Sequence, residues 1–133
     1  MVFPSLAAAY AALFAGLYAA LSFWVVAGRF KYRKLHGDDG GQGDFGRRVR
    51  AHANFIEYAP LILILVLLYE ASGGPRGVVH ALLGPLFAAR LAHPFGMLAP
   101  ANSLRQYACR GLGTLVTFIV LLAAALLLWL RVA

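Results

Sequence analysis

The chain has 133 residues, 62% of them hydrophobic, and a mean hydropathy of +0.75, an apolar excess that excludes an ordinary soluble domain of this length. Its net charge of +7 comes from 12 Lys and Arg against 5 Asp and Glu. Because the positive charges cluster at the ends of apolar segments, they argue against nucleic-acid binding and for a membrane protein. Cys109 is the only cysteine, which excludes an intrachain disulfide and a multi-cysteine metal site.

Four segments are apolar enough to cross a bilayer as helices, which takes about 20 residues each. Residues 1–28, 77–89 and 111–130 contain no charged side chain, and Glu57 is the only one in residues 51–69. We predict an all-α, integral-membrane four-helix bundle that forms one domain over residues 1–133. The first span lacks a basic amino-terminal region, so we expect it to be retained rather than cleaved as a signal peptide. The predicted helices cover residues 3–30, 45–71, 75–98 and 103–131.

Basic residues surround the first and third connections between these helices, whereas the second connection carries Arg76 alone and the C-terminus Arg131. The positive-inside rule therefore predicts connections one and three in the cytoplasm and both termini outside it. Residues 36–46, within the first connection, contain five glycines and three aspartates. This composition predicts a flexible, solvated loop in which Asp38, Asp39 and Asp44 serve solubility.

One face of the second predicted helix carries polar side chains into an otherwise apolar segment. At about 100° per residue, an arc of about 100° holds Arg47, Arg50, Asn54, Glu57 and Tyr58. Polar groups inside a membrane segment are costly and usually face a bundle interior or a wet cavity, which indicates a functional site. Guanidinium, carboxylate, amide and phenol groups together suit a small zwitterionic, peptide-like ligand. The alternative is that Arg50 and Glu57 pair with each other within the bundle and bind no ligand.

Further basic groups are expected at a similar depth, where four helix ends meet on one side of the membrane. Arg29 closes the first predicted helix, Arg90 and His93 share a face of the third, and Arg105 and Arg110 begin the fourth. An anionic ligand among the arginines would relieve their mutual repulsion. Haem needs paired axial histidines at matching depth, for which His52 and His93 are the candidates. Nothing else in the sequence supports haem, and we expect neither haem nor a bound metal.

Residues 50–60 read RAHANFIEYAP. This run resembles the signature of the MAPEG family, membrane-associated proteins in eicosanoid and glutathione metabolism, which is Arg-Ala-(His or Gln)-x-Asn-x-x-Glu-x-x-Pro. The resemblance extends to the four spans, to the segment RLAH at residues 90–93 and to RGLGT at residues 110–114. The last of these is similar to an Arg-x-x-Gly-Thr run that opens the fourth helix in bacterial members.

The resemblance implies a homotrimer in a bacterial inner membrane, with glutathione bound between neighbouring subunits as a co-substrate. It implies that Arg50, Asn54, Glu57 and Tyr58 hold the carboxylates, amide and amino group of glutathione. Arg29 matches the family's arginine at the end of the first helix, and the full set of expected binding residues is Arg29, Arg50, Asn54, Glu57, Tyr58, Arg90 and His93. The arginine that activates the thiol is either Arg105 or Arg110, because the local spacing does not decide between them.

The implied activity is that of a detoxifying glutathione S-transferase, whose thiolate attacks a hydrophobic small-molecule or lipid electrophile arriving from the membrane. Glutathione-dependent reduction of lipid hydroperoxides is a second activity open to test. The main alternative is a non-catalytic lipid-binding or scaffold protein of the same family. A small four-helix multidrug exporter is a weaker alternative, because it needs a membrane-embedded acid on the first helix, and that helix has none.

Overall fold

The computed structural model describes residues 2–41 and 43–133, and within them it contains helices and no strand. A π-helical segment runs directly into the last helix, and the two together form one continuous span. All four spans are long and apolar enough to cross a membrane, so the predicted all-helical, four-span fold is confirmed. The elements are α1 (Ser5–Tyr32), α2 (Asp44–Ala71), α3 (Arg76–Met97), the π-helical segment (Gln106–Leu112) and α4 (Gly113–Val132).

The helices α2 and α3 form the middle of the bundle. They pack against each other and both contact α1 and α4, whereas α1 and α4 do not touch among the described residues. The core holds large buried side chains from three helices, including Phe14, Ile62 and Leu86. Large apolar side chains such as Phe23 and Leu122 remain exposed on the outer faces of α1 and α4, as expected where lipid replaces water.

Polar contacts fasten the end of the bundle that holds both termini. The buried carboxylate of Glu70, at the end of α2, accepts the backbone N–H groups of Leu6 at 3.2 Å and Ala7 at 2.7 Å. These donors belong to the first turn of α1, where helical N–H groups have no partner within the helix and the helix dipole favours a negative charge. At the same end, Arg131 of α4 donates to the carbonyls of Ser72 and Gly73.

At the opposite end, which we call the basic end, α1 ends, α2 begins, α3 ends and the π-helical segment begins. The loop between α1 and α2 folds back there onto the first turn of α2. Gly40 and Gly41 both have a φ of 76°, in the left-handed region that favours glycine. A Cβ on Gly46 would lie 2.6 Å from the Cα of Gly41. The loop can therefore pack against α2 at this position only because Gly46 has no side chain. The sequence predicts a solvated loop here but not this fold-back.

Replacing Glu70 by Ala should lower the free energy of unfolding by about 1–3 kcal/mol, because two N–H groups of α1 lose their buried partner. Thermal unfolding in detergent measures the change. Glu57→Ala is the matched control, because the Glu57 carboxylate is exposed and accepts no hydrogen bond from the described residues. An equal loss of stability in both variants would contradict the capping role of Glu70.

Candidate functional site

A cavity of about 510 Å³ opens at the basic end, between the folded loop, the start of α2, the end of α3 and the π-helical segment. This volume lies within the range of small-molecule sites in proteins, which is about 300–1,000 Å³. Its polar lining includes three guanidinium groups and one carboxylate, and the side chain of Met97 adds an apolar wall. We call it the arginine cavity after Arg47, Arg50 and Arg110.

Among the described residues, no ion pair neutralises the arginines of the arginine cavity. The one ion pair within 4.0 Å among the described residues joins Arg48 to Asp44, and neither of those two lines the cavity. The cavity carboxylate, Asp38, therefore pairs with none of the three arginines. Clustered charges of one sign raise the local concentration of oppositely charged ligands, so this cavity should attract an anion.

Local structure explains how α2 supplies two of the three arginines. Arg47 and Arg50 are three residues apart on α2, a spacing that places both on one face of a helix. The loop passes beside Arg50, since a Cβ on Gly41 would lie 4.0 Å from the Cγ of Arg50. The glycine-rich loop thus closes one wall of the arginine cavity.

The third arginine comes from the π-helical segment. Such a segment closes i→i+5 hydrogen bonds, so it presents its side chains in a different register from an α-helix. It packs closely on α3, because a Cβ on Gly96 would lie 2.9 Å from the Cβ of Arg110. In this register Arg110 lines the cavity, whereas Arg105, which precedes the segment, is exposed outside the lining.

Arg90, predicted to bind a ligand, forms hydrogen bonds with two other helices of the bundle. Its side chain is only 2% exposed. Nη1 donates to Oδ1 of Asn54 on α2 at 2.7 Å, and Nη2 donates to the carbonyl of Gly113 on α4 at 3.0 Å. Nε has no partner and no carboxylate of the described residues lies within 4.0 Å, so this buried cation lacks a counter-ion. Arg90 and Asn54 therefore tie α2, α3 and α4 together below the arginine cavity.

Three other predicted binding residues also lie outside the arginine cavity. Arg29 donates to the carbonyls of Lys34 and Leu35, where it stabilises the end of α1. His93 is buried on α3, one turn beyond Arg90. The ring of Tyr58 packs edge-on against that of Phe118 on α4.

Glu57 is exposed on α2, and it forms no ion pair with Arg50. Seven residues separate the two, which is about 10 Å along a helix. The sequence-based alternative in which they satisfy each other therefore does not describe this subunit. Of the predicted site residues, the structure brings Arg50 and Arg110 together in the arginine cavity, where Arg47, Asp38 and Gln106 join them. It also brings together Arg90 and Asn54, outside the cavity.

The model of the MAPEG family matches residues 7–130, nearly the whole chain. This chain belongs to the MAPEG family. The resemblance carried by residues 50–60 is thereby confirmed.

Among curated MAPEG relatives, the inner membrane protein YecN of Escherichia coli strain K12 is 39% identical over 89 residues, which cover 67% of this chain and 67% of YecN. YecN of Escherichia coli O6:H1 matches to the same extent. No solved structure matches the chain significantly. Family membership, the inner-membrane relative and the four apolar spans identify an integral, multi-pass membrane protein.

In this MAPEG protein, substitutions at Asn54 test whether the buried guanidinium of Arg90 lacks a counter-ion. Asn54→Asp should raise the melting temperature, because it supplies a carboxylate where Arg90 now meets only neutral acceptors. Asn54→Leu should lower the free energy of unfolding by about 1.5–3 kcal/mol, because it removes an acceptor from a buried charged donor. Thermal unfolding of both variants in one detergent gives the comparison. Equal destabilisation by Asp and Leu would show that the charge of Arg90 already has a compensating partner.

Proposed function

We propose that this MAPEG-family protein is a membrane glutathione transferase that binds glutathione in the arginine cavity. The observation that carries the proposal is the convergence of Arg47, Arg50 and Arg110 in one cavity, with no ion pair to neutralise them among the described residues. The family includes glutathione transferases, which agrees with this assignment. Glutathione offers carboxylates at both ends and a thiol between them, so its thiolate form presents three anionic groups to three guanidiniums.

The proposed chemistry is nucleophilic substitution by a thiolate. The thiol releases its proton to water, and a guanidinium stabilises the resulting anion, which is the nucleophilic form of sulfur. The thiolate forms a carbon–sulfur bond with the electrophile, and the leaving group departs with its bonding electron pair. Lowering the thiol pKa by about two units corresponds to about 2.7 kcal/mol in favour of the anion. With a hydroperoxide, two glutathione molecules are oxidised to the disulfide while the peroxide is reduced to an alcohol and water.

We assign the thiol-activating role to Arg110 rather than Arg105, because Arg110 lines the cavity and Arg105 does not. An apolar electrophile can reach this position from the lipid. A groove of about 390 Å³ between α1 and α3 ends at Phe95 and Leu98, and α3 presents Met97 to the arginine cavity in the same turn. The polar co-substrate and the apolar substrate would thus meet at the last turn of α3.

The assembly and orientation belong to the same proposal. With connections one and three in the cytoplasm, as the positive-inside rule predicts, the arginine cavity opens towards the cytoplasm. In the expected homotrimer, a neighbouring subunit covers the exposed side of α2, where Glu57 and part of Tyr58 now face outwards. That arrangement would remove a bare carboxylate from contact with lipid.

One observation favours a second candidate, a non-catalytic scaffold or lipid-binding protein. Asn54, Arg90 and Arg29 already form hydrogen bonds within the subunit, so part of the predicted ligand set serves the fold. The name of the YecN relative gives no activity to decide the matter. Under this alternative, the wild-type protein binds no glutathione and turns over no electrophile.

Arg110→Ala should lower the rate of conjugation of glutathione to chlorodinitrobenzene by about tenfold at about pH 7, because less of the bound thiol is ionised. The deficit should shrink above about pH 9, where a thiol with an ordinary pKa near 8.5 is ionised without help. Steady-state rates across this pH range, together with thiolate absorbance in the ultraviolet, provide the measurement.

Arg105→Ala is the matched control, because it removes an equal charge from outside the cavity. It should keep both the pH profile and the thiolate signal of the wild type. A deficit in Arg110→Ala that stays constant with pH would mean that Arg110 does not act on thiol ionisation. Absence of glutathione binding to the wild type would favour the scaffold alternative.

A further inference from the structure

A groove of about 390 Å³ runs between α1 and α3 near the basic end, and aliphatic and aromatic side chains line it. We call it the α1–α3 groove. We propose that this groove binds an anionic phospholipid, with one acyl chain between the two helices and the phosphate at Lys31. Lipid binding there is separate from glutathione binding in the arginine cavity. The proposed electrophile would enter by the same groove, so a bound lipid would compete with it.

The α1–α3 groove has the dimensions of a lipid chain rather than of a helix. Its walls run from Leu17 to Trp24 on α1 and from Leu91 to Leu98 on α3, which is about 10 Å along each helix. Over that length, its volume corresponds to a mean cross-section of roughly 40 Å². An α-helix with its side chains is about 10 Å across, or roughly 80 Å², so a helix of a second copy is too wide to lie inside. The short side chain of Ala20 helps to leave the space open.

Along α1, the wall of the groove continues into a tryptophan and then a lysine. Ala20, Trp24 and Lys31 lie within about 40° of one another around the helix. Tryptophan favours the headgroup level of a membrane, and a lysine beyond it can extend its ammonium group towards the phosphates. Lys31 lies about 10 Å past Trp24 along the helix, which is close to the depth of one headgroup region, about 5–8 Å. The order of apolar wall, indole and cation therefore matches the acyl chain, glycerol and phosphate of a phospholipid.

The charge at this end of the groove favours an anionic headgroup. Lys31 is exposed and forms no ion pair within 4.0 Å among the described residues, and its Nζ lies 5.2 Å from the centre of the Tyr32 ring. The Arg48 guanidinium lies 5.0 Å from the centre of the Trp24 ring, but Asp44 pairs with it at 3.0 Å. Lys31 is thus the cation that a lipid phosphate can balance. The choline of a zwitterionic lipid would bring a second cation beside it.

Trp24 can report on the occupant of the groove, because the other tryptophan of the chain, Trp129, lies near the opposite end of the bundle. The full-length Trp129→Phe protein is placed in phosphatidylcholine vesicles that contain a small fraction of lipid with brominated acyl chains, which quench a nearby indole. Brominated phosphatidylglycerol should bind beside Trp24 about fivefold more tightly than brominated phosphatidylcholine, since one cation contributes about 1 kcal/mol towards an anionic lipid.

Two pairs of variants in this background separate the groove from general attraction to the basic end. Lys31→Gln should remove the preference for phosphatidylglycerol, whereas Lys34→Gln removes an equally exposed charge beyond the end of α1 and should keep most of it. Ala20→Phe should fill the groove and also remove the preference. Ala19→Phe adds the same ring outside the groove lining and should keep it.

Equal quenching by the two brominated lipids in the Trp129→Phe protein would overturn the proposal. An equal loss of preference in Lys31→Gln and Lys34→Gln would also overturn it, because it would indicate attraction to the basic end as a whole. Retention of the preference by Ala20→Phe would place the lipid outside the groove. The lysine pair keeps the test decisive even if Ala20→Phe fails to fold, because both lysines are exposed. None of these outcomes depends on glutathione binding.

Discussion

The guanidinium of Arg90 must find its hydrogen-bond partners within the bundle, because it is buried and has no carboxylate within 4.0 Å among the described residues. Its two hydrogen bonds reach Asn54 on α2 and the Gly113 carbonyl on α4, so they are formed only when three helices share one register. Removing a buried charge from its hydrogen-bond partners costs free energy, so a change in this register would destabilise the fold. Arg50 lies one turn before Asn54, and Arg110 lies three residues before Gly113, so the register that satisfies Arg90 also brings those two arginines to one end.

Like charges held together need a rigid frame, since each destabilises its neighbours until a ligand arrives. The frame here is made of backbone and small residues. Gly46 accepts the loop, and Gly96 accepts the π-helical segment, each at a distance that leaves no room for a Cβ. At the far end of the bundle, the Glu70 carboxylate holds the start of α1. These contacts do not use the guanidinium groups of Arg47, Arg50 and Arg110, which leaves those groups free for a ligand.

The fold could be predicted because hydropathy and the placement of charges can be read directly from the sequence. Four apolar spans separated by basic or glycine-rich connections leave few alternative folds. The site was predictable only in part. A helical wheel places Arg50 and Glu57 on one face but ignores the axial rise of about 10 Å that separates them. It also cannot show that Asn54 is bound by Arg90, a residue 36 positions later. The choice of Arg110 depends on a π-helical register, which composition does not specify. The place of Asp38 in the cavity lining accompanies positive φ angles at Gly40 and Gly41, which composition does not specify either.

In the proposed function, this MAPEG protein holds glutathione in the arginine cavity. An experimental structure of the protein in lipid with glutathione bound is the decisive measurement. The peptide should lie inside the cavity, with its carboxylates beside Arg47 and Arg50 and its sulfur beside Arg110. Density for glutathione beside Glu57 and Arg105, with only solvent among Arg47, Arg50 and Arg110, would contradict it.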